Sequence, residues 1–93
     1  MATLFVRHDV EDFDRWKGGY DEARPIRDEL GVRRHGIYQG TDDPNDVTVY
    51  HVFDTVEAAR EFTSDPRLRE VMDRIGVTGE PEIWVTEEVE HGS

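Results

Sequence analysis

Hydrophobic and polar residues alternate near the start of the chain and then recur with helical spacing. The alternation predicts a strand over residues 2–9 with two opposite faces, Leu4, Val6 and His8 on one and Thr3, Phe5 and Arg7 on the other. Spacings of three, four and three residues then predict a helix over residues 11–30, with the apolar stripe Phe13, Trp16, Tyr20 and Ala23. Pro25 is expected to kink or split this helix, and acidic residues around Asp12 supply candidate caps at its start.

The rest of the chain predicts a hairpin, two helical segments and a final strand. Residues 32–40 and 47–53 form the hairpin around a turn rich in Asp, Pro, Asn and Gly. Asp54 and Glu57 fit a capping box for a helix that ends near Thr63. The sequence Ser64-Asp65-Pro66 predicts a new helix that Gly76 closes, and residues 82–89 follow Gly79-Glu80-Pro81 as the last strand.

The predicted order β-α-β-β-α-α-β is typical of an α+β fold, a ferredoxin-like split βαβ sandwich with an antiparallel sheet of strand order 4-1-3-2. We expect a single domain over residues 1–93. Helices cover one face of such a sheet and leave the other open, yet the alternation predicts apolar residues there: Phe5, Ile37, Tyr50, Val52 and Trp84. Because a monomer rarely exposes such a patch, we expect a homodimer that pairs the open faces around a two-fold axis.

Charge and composition narrow the partners. The chain has 22 Asp and Glu against 11 Lys and Arg, a net charge of −11, so this acidic protein is predicted to bind neither nucleic acid nor an anionic membrane surface. It has no cysteine, which excludes a thiolate nucleophile and a disulfide. The sequence shows no membrane span and no signal peptide, so the expected location is cytoplasmic.

The chain resembles the dimeric α+β barrel superfamily, and within it the small proteins related to antibiotic biosynthesis monooxygenases. The resemblance covers nearly the whole order of elements. Local matches to members labelled monooxygenase-like or cyclase-like are His8-x-Val10-x-Asp12-x-x-x-Trp16-Lys17, Asp43-Pro44-Asn45, Ala58-Ala59-Arg60-x-Phe62, and Met72 with Gly76-Val77. The resemblance implies oxidation or cyclisation of an aromatic, polyketide-like molecule without a cofactor. Haem-degrading relatives use a histidine on a helix, whereas His8, His35 and His51 are predicted on strands.

Candidate site residues converge where the first strand meets the first helix. We predict catalytic roles for His8, as a base, acid or hydrogen-bond partner near neutral pH, and for Tyr38, predicted to face the helices beside it. The predicted substrate-binding residues are Trp16, Tyr20, His51, Phe62 and Met72. The alternatives stay open: His8 bonded to a backbone carbonyl or to Asp12, and the aromatic residues and His51 as ordinary core.

No metal site is expected, because His35 is predicted out of phase with the other two strand histidines. Arg33 and Arg34 are expected to be solvated or to form an interface salt bridge. The preferred hypothesis is a cofactor-independent monooxygenase or cyclase acting on a small hydrophobic or aromatic molecule in a pocket of ~300 Å³ or more between sheet and helices. The alternative is a non-catalytic, small-molecule-binding or stress-associated homodimer.

Overall fold

A computed structural model describes residues 1–92 as one four-stranded sheet with helices packed on one face. The strands are β1 (Ala2–Val10), β2 (Arg34–Gln39), β3 (Asp46–Phe53) and β4 (Val77–Glu87). The helices are α1 (Phe13–Glu22), α2 (Arg24–Glu29), α3 (Val56–Ser64) and α4 (Pro66–Arg74). Among these residues, no helix is long and apolar enough to cross a membrane.

The sheet has the order β2-β3-β1-β4 with every neighbouring pair antiparallel, which confirms the predicted α+β, ferredoxin-like topology. Leu4 pairs with His51 and Val6 with Val49, so these side chains share the helix-covered face. Phe5 lies between Tyr50 and Trp84 on the opposite, open face. The predicted facing of β1, β3 and β4 is therefore correct.

The predicted facing of β2 is wrong. His35 pairs with His51 and Ile37 with Val49, so both lie on the helix side, whereas Tyr38 pairs with Thr48 on the open face. Ile37 packs against the buried core, and Tyr38 is 58% exposed. Adjacent apolar residues at 37 and 38 make a period of two ambiguous, and a shift of one residue reverses every side chain of a strand.

Helix starts differ from the sequence predictions in which side chain caps them. Pro25 splits the first helix as predicted, with α1 ending before Ala23. Asp12 occupies the N-cap position of α1 but makes no side-chain cap; the amide oxygen of Asn45, in the hairpin turn, accepts from the Phe13 N–H at 3.0 Å. The α3 cap is Thr55 rather than Asp54, which instead pairs with Arg33.

Beyond the caps, the boundary of the last strand also differs. Strand β4 begins at Val77 instead of residue 82, because Thr78 pairs with Asp9 beyond a register irregularity that the predicted turn at Gly79 concealed. Irregular pairing of this kind bends a strand and increases its twist, and here it lies next to His8, at the edge of the site described below.

Two buried clusters join the helices to the sheet. The first lies where α1 and α4 cross β3, around Trp16, Tyr20 and Val49, and the second lies where α3 covers the start of β1, around Leu4 and Phe53. Close approach of α1 to α4 requires a glycine at position 19, because an added Cβ would clash with the side chain of Ile75. Between the two clusters lies a recess.

Candidate functional site

The recess between sheet and helices is mainly apolar but contains four polar aromatic or charged groups. Strands β1 and β3 contribute His8 and His51, and helices α1 and α2 contribute Tyr20 and Arg27. The apolar part of the lining includes Leu4, Val6, Trp16, Val49, Phe62, Leu68, Val71, Met72, Ile75 and Ile83. We call this space the helix-side recess.

The space that a ligand could occupy in the helix-side recess is small. Water has access to about 90 Å³, while the free space including the open mouth is about 670 Å³. Ile83 on the mouth side is 43% exposed, and Met72 and Leu68 are only partly buried. The water-accessible space is smaller than the ~300 Å³ expected of a small-molecule pocket, so a ring system must displace these side chains to bind.

His8 is buried without a hydrogen-bond partner. Its side chain is 7% exposed, and neither Nδ1 nor Nε2 has a partner among the described residues. Neither a backbone carbonyl nor Asp12 satisfies it, so the structural alternative considered for this histidine is not found. The ring lies 5.6 Å from the Trp16 ring, which is the meeting of strand end and helix that the sequence predicts.

Burial also sets the protonation of His8. Desolvation lowers the pKa of His8, while the nearby carboxylates of Asp9 and Asp46 act in the opposite direction. The ring is therefore neutral at pH 7 and carries one free lone pair. A neutral imidazole with unused hydrogen-bonding capacity beside an apolar space has the properties of a general base.

Tyr20 and His51 form a buried pair deeper in the recess. The Tyr20 hydroxyl lies 2.7 Å from His51 Nε2, and the two rings are stacked with centroids 6.0 Å apart. Burial lowers the pKa of His51 to about 3, and the positive charge of Arg27 adds to this effect. Burial likewise raises the pKa of Tyr20 to about 12. Both groups are neutral at pH 7, so the Tyr20 hydroxyl donates and His51 Nε2 accepts.

Arg27 is the functional candidate that sequence reasoning missed. It is 4% exposed and lies over the Tyr20 ring, with Cζ 3.7 Å from the ring centroid. Its Nη1 donates to the backbone oxygen of Tyr20. The signal was present in the sequence, because Arg27 continues the stripe of Trp16, Tyr20 and Ala23 at a spacing of four residues, on the buried face of the helix.

The structure brings together six of the seven predicted site residues. His8, Trp16, Tyr20, His51, Phe62 and Met72 all line the helix-side recess. Tyr38 does not, because it stacks on Tyr50 on the other face of the sheet with centroids 6.1 Å apart. His35 lies on the helix side after all, 5.7 Å from the Tyr20 ring, but residues 1–92 contain no cluster of three or more potential metal ligands.

Comparison with solved structures identifies proteins of the same fold. A Bordetella bronchiseptica protein described as an antibiotic biosynthesis monooxygenase has a TM-score of 0.81 at 15% identity, with 96% of this chain and 97% of that chain covered. A variant of SnoaB, a cofactor-independent oxygenase from Streptomyces nogalater, has a TM-score of 0.77 at 16% identity, covering 97% and 94%. The monooxygenase ActVA-Orf6 of Streptomyces coelicolor, in complex with nanaomycin D, has 0.72 at 19%, covering 99% and 90%.

The chain has the fold of these antibiotic biosynthesis monooxygenases. The ferredoxin-like α+β architecture that the resemblance implied is thereby confirmed. No family model matches the sequence, and no curated protein is similar to it. At identities of 12–19%, the neighbours show the fold, and the chemistry of this chain has to be argued from its own residues.

Proposed function

We propose that this protein is a cofactor-independent monooxygenase that oxidises a small hydroxylated aromatic molecule in the helix-side recess. The observation that carries the proposal is His8, a buried neutral histidine with two unpartnered ring nitrogens in an apolar lining. Burying a polar group without a partner is unfavourable, so its retention there calls for a ligand that supplies one.

The proposed reaction needs only a base, an aromatic wall and dioxygen. His8 removes the proton of a phenol, and the resulting phenolate is electron-rich enough to reduce dioxygen itself. One oxygen atom enters the ring as a new carbonyl and the other leaves as water, so that a phenol and O₂ give a quinone and H₂O. Trp16 and Phe62 supply stacking surfaces, and the apolar walls exclude bulk water from the phenolate.

Names of the structural neighbours support this class of reaction. SnoaB is described as a cofactor-independent oxygenase, and the ActVA-Orf6 monooxygenase was crystallised with nanaomycin D. Cyclisation is the variant of the proposal in which His8 removes a proton from an acidic carbon instead. The carbanion adds to a carbonyl carbon of the same molecule, the C=O π bond opens as the ring C–C bond forms, and the carbonyl oxygen takes the proton back from His8, with no oxygen uptake. Both variants rely on the same base in the same recess.

Oxygen consumption with 1-naphthol and with an anthrone tests the oxidation. The expected result is uptake of dioxygen in equal moles with quinone, unaffected by EDTA. Replacing His8 with Gln should reduce turnover by roughly 10²-fold or more, because a positioned base contributes that much. His35→Gln is the matched control: this exposed edge-strand histidine should be replaceable without loss. Failure of every hydroxylated aromatic tested, or full activity of His8→Gln, would overturn the proposal.

The limited enclosed volume favours a second candidate function. With about 90 Å³ accessible to water, the recess can hold a small molecule tightly while leaving no space for dioxygen beside it. A binding protein without turnover is then expected. In that case His8→Gln weakens ligand binding, measured by calorimetry, while no product forms with either wild type or variant.

We also propose that the protein is a homodimer joined through its open sheet face. A row of stacked aromatic rings crosses this face, with Phe5 5.5 Å from Trp84 and Tyr50 6.1 Å from Tyr38. Trp84 is 43% and Tyr38 58% exposed. Gly36 belongs to the same surface, because the Tyr50 ring lies against its Cα, where a Cβ would clash. An exposed aromatic row on an otherwise strongly acidic protein favours pairing with a second copy.

A further inference from the structure

We propose that the helix-side recess recognises aromatic acids, with the carboxylate of the ligand bound by the guanidinium of Arg27. The inference rests on the proposed function, because it takes the recess as the binding site of an aromatic molecule, and it adds that this molecule is negatively charged. It also assigns a binding role to a residue outside the set predicted from the sequence. The supporting observations concern the burial of Arg27, its unused donors and the charges around it.

Arg27 is a buried cation without a carboxylate partner. Its side chain is 4% exposed, and no Asp or Glu lies within ion-pair distance of it in the described part of the chain. Asp21 and Asp28 influence it only from exposed positions, where they pair with Lys17 and Arg24. An arginine does not lose its proton in a protein, so the positive charge remains in the recess. An uncompensated buried charge is costly, and a bound anion would offset that cost.

Most of the donors of Arg27 are unused. A guanidinium has five N–H groups, and the hydrogen bonds of residues 1–92 account for one of them, from Nη1 to the Tyr20 oxygen. The ring of Tyr20 compensates part of the charge through a cation–π contact, with Cζ 3.7 Å from its centroid. The bond to Tyr20 uses Nη1, whereas the Nε and Nη2 donors, whose parallel N–H groups can bind a carboxylate with two hydrogen bonds, have no partner among residues 1–92.

The groups that share the recess with Arg27 are neutral. Tyr20 cannot supply an anion, since burial raises its pKa to about 12, and His51 stays uncharged because its pKa is lowered to about 3. The remaining lining is largely aliphatic or aromatic. A ligand that fits this environment has an apolar ring system and a single negative charge placed at Arg27.

Arg27 also borders a second, smaller cleft with an unusually basic lining. Arg24, Arg33, Arg34 and His35 lie around this cleft, with Asp28 as its only acidic residue. Four of the eleven Lys and Arg residues of this acidic chain, including Arg27, therefore line one cleft. Arg24 pairs with Asp28 and Arg33 with Asp54, which leaves Arg27 and Arg34 without a salt-bridge partner among the described residues. The remaining positive charge favours an anion at Arg27 although the whole protein carries a net charge of −11.

A structural role for Arg27 predicts something different. The bond to Tyr20 satisfies a carbonyl at the end of α1, which is a favourable place for a cation. Such a role requires the arginine for folding but gives the recess no preference between charged and neutral ligands. The two readings are therefore separated by ligands that differ only in charge.

The test compares 2-naphthoate with 2-naphthamide, its neutral analogue of the same shape, by isothermal titration calorimetry at pH 7.5. Wild type should bind naphthoate at least about tenfold more tightly, the effect of one charge-assisted hydrogen-bonded pair. Arg27→Met should abolish that preference and leave naphthamide binding unchanged. Arg69→Met, which removes an exposed arginine of α4 that lines neither the recess nor the basic cleft, should retain the preference within about threefold.

Equal affinity of wild type for the two probes, no binding of either, or equal losses in Arg27→Met and Arg69→Met would overturn the inference. If Arg27→Met does not fold, the wild-type ratio decides together with Arg27→Lys, which should keep a reduced preference because lysine keeps the charge without the fork. The binding assay is independent of oxygen uptake. If the protein prefers naphthoate to naphthamide but consumes no oxygen with any hydroxylated aromatic, only the proposed reaction is contradicted. If it consumes oxygen but shows no preference for naphthoate, only this inference is contradicted.

Discussion

The two faces of one sheet are built from alternate residues of the same strands and differ in what they leave unsatisfied. On the helix side, both ring nitrogens of His8 are buried without a partner, and Arg27 uses one of its five N–H donors. On the open side, Trp84 and Tyr38 are apolar rings left in water. Unpaired polar groups in an apolar recess call for a small ligand with complementary groups, whereas exposed rings on a flat surface call for another flat apolar surface. The comparison assigns chemistry to one face and association to the other.

The two tryptophans give the largest test of this contrast, since each face holds one. Trp16 is 2% exposed in the core and Trp84 is 43% exposed on the open face. Trp16→Ala should lower the free energy of unfolding by ~3–5 kcal/mol, the cost of truncating a buried aromatic. Trp84→Ala should cost only about 1 kcal/mol at low protein concentration, through loss of its stacking on Phe5.

Urea denaturation at a low and a high protein concentration measures both effects. If the open faces pair, the cost of Trp84→Ala grows with concentration while that of Trp16→Ala does not. Equal costs for the two variants at low concentration would mean that the faces are not different in the way their exposure indicates.

A charge in the open face is the second test. Tyr50→Asp places a carboxylate in the middle of the aromatic row, between Phe5 and Tyr38. Dimer dissociation should become ~100-fold more favourable or greater, because pairing would bury an unpaired charge. Analytical ultracentrifugation measures it, with Val89→Asp, at a position 99% exposed, as the control. A wild-type protein that is folded and monomeric at tens of micromolar contradicts the pairing.

The sequence predicted the facing of β1 correctly and that of β2 wrongly, because the hydrophobic pattern of the two strands differs in clarity. In β1, polar Thr3 and Arg7 flank the apolar run Leu4-Phe5-Val6 and indicate its facing, and the predicted contact of His8 with Trp16 is present in the structure. In β2, Ile37 and Tyr38 are both suitable for either face, and only pairing with β3 decides between them. The strand order followed from the element order, but no local pattern contains the register.

Caps and buried charges were harder to predict for a similar reason. The donor at Phe13 is satisfied by Asn45, which lies 32 residues away and is adjacent only in the fold. Arg27 lies on the predicted helical stripe, but an arginine is usually predicted to be exposed, and only the tertiary structure shows that this one is buried. Local sequence patterns do not show contacts between residues that are far apart in the chain, and these contacts decide both the caps and the buried charge.

The dependence of stability on pH tests the burial of the helix-side histidines. Burial lowers the pKa of His51 to about 3, below the ordinary 6.5, so the unfolded chain binds a proton there that the folded chain does not. The stability contributed by the neutral ring is complete above pH 6.5 and is lost as the pH falls toward 3. Between about pH 7 and pH 5 the loss from His51 alone should be about 2 kcal/mol.

His51→Gln should remove that contribution to the pH dependence of the free energy of unfolding. The lowered pKa of His8 adds a loss of the same sign, so the variant retains part of the slope. A wild-type stability that does not change over this range would show that His51 is protonated in the folded protein.

Two tyrosine hydroxyls, one on each face, give the smallest test. The Tyr20 hydroxyl is buried 2.7 Å from His51 Nε2, whereas the Tyr38 side chain is mostly exposed. Tyr20→Phe should lower the free energy of unfolding by about 1 kcal/mol, the net value of one hydrogen bond, because the His51 nitrogen loses its partner. Tyr38→Phe should change it by much less, because water replaces the lost contact. Thermal and urea denaturation of the two variants give the difference directly. Equal effects would mean that the helix-side pair is hydrated, and that the recess does not exclude water as the proposed reaction requires.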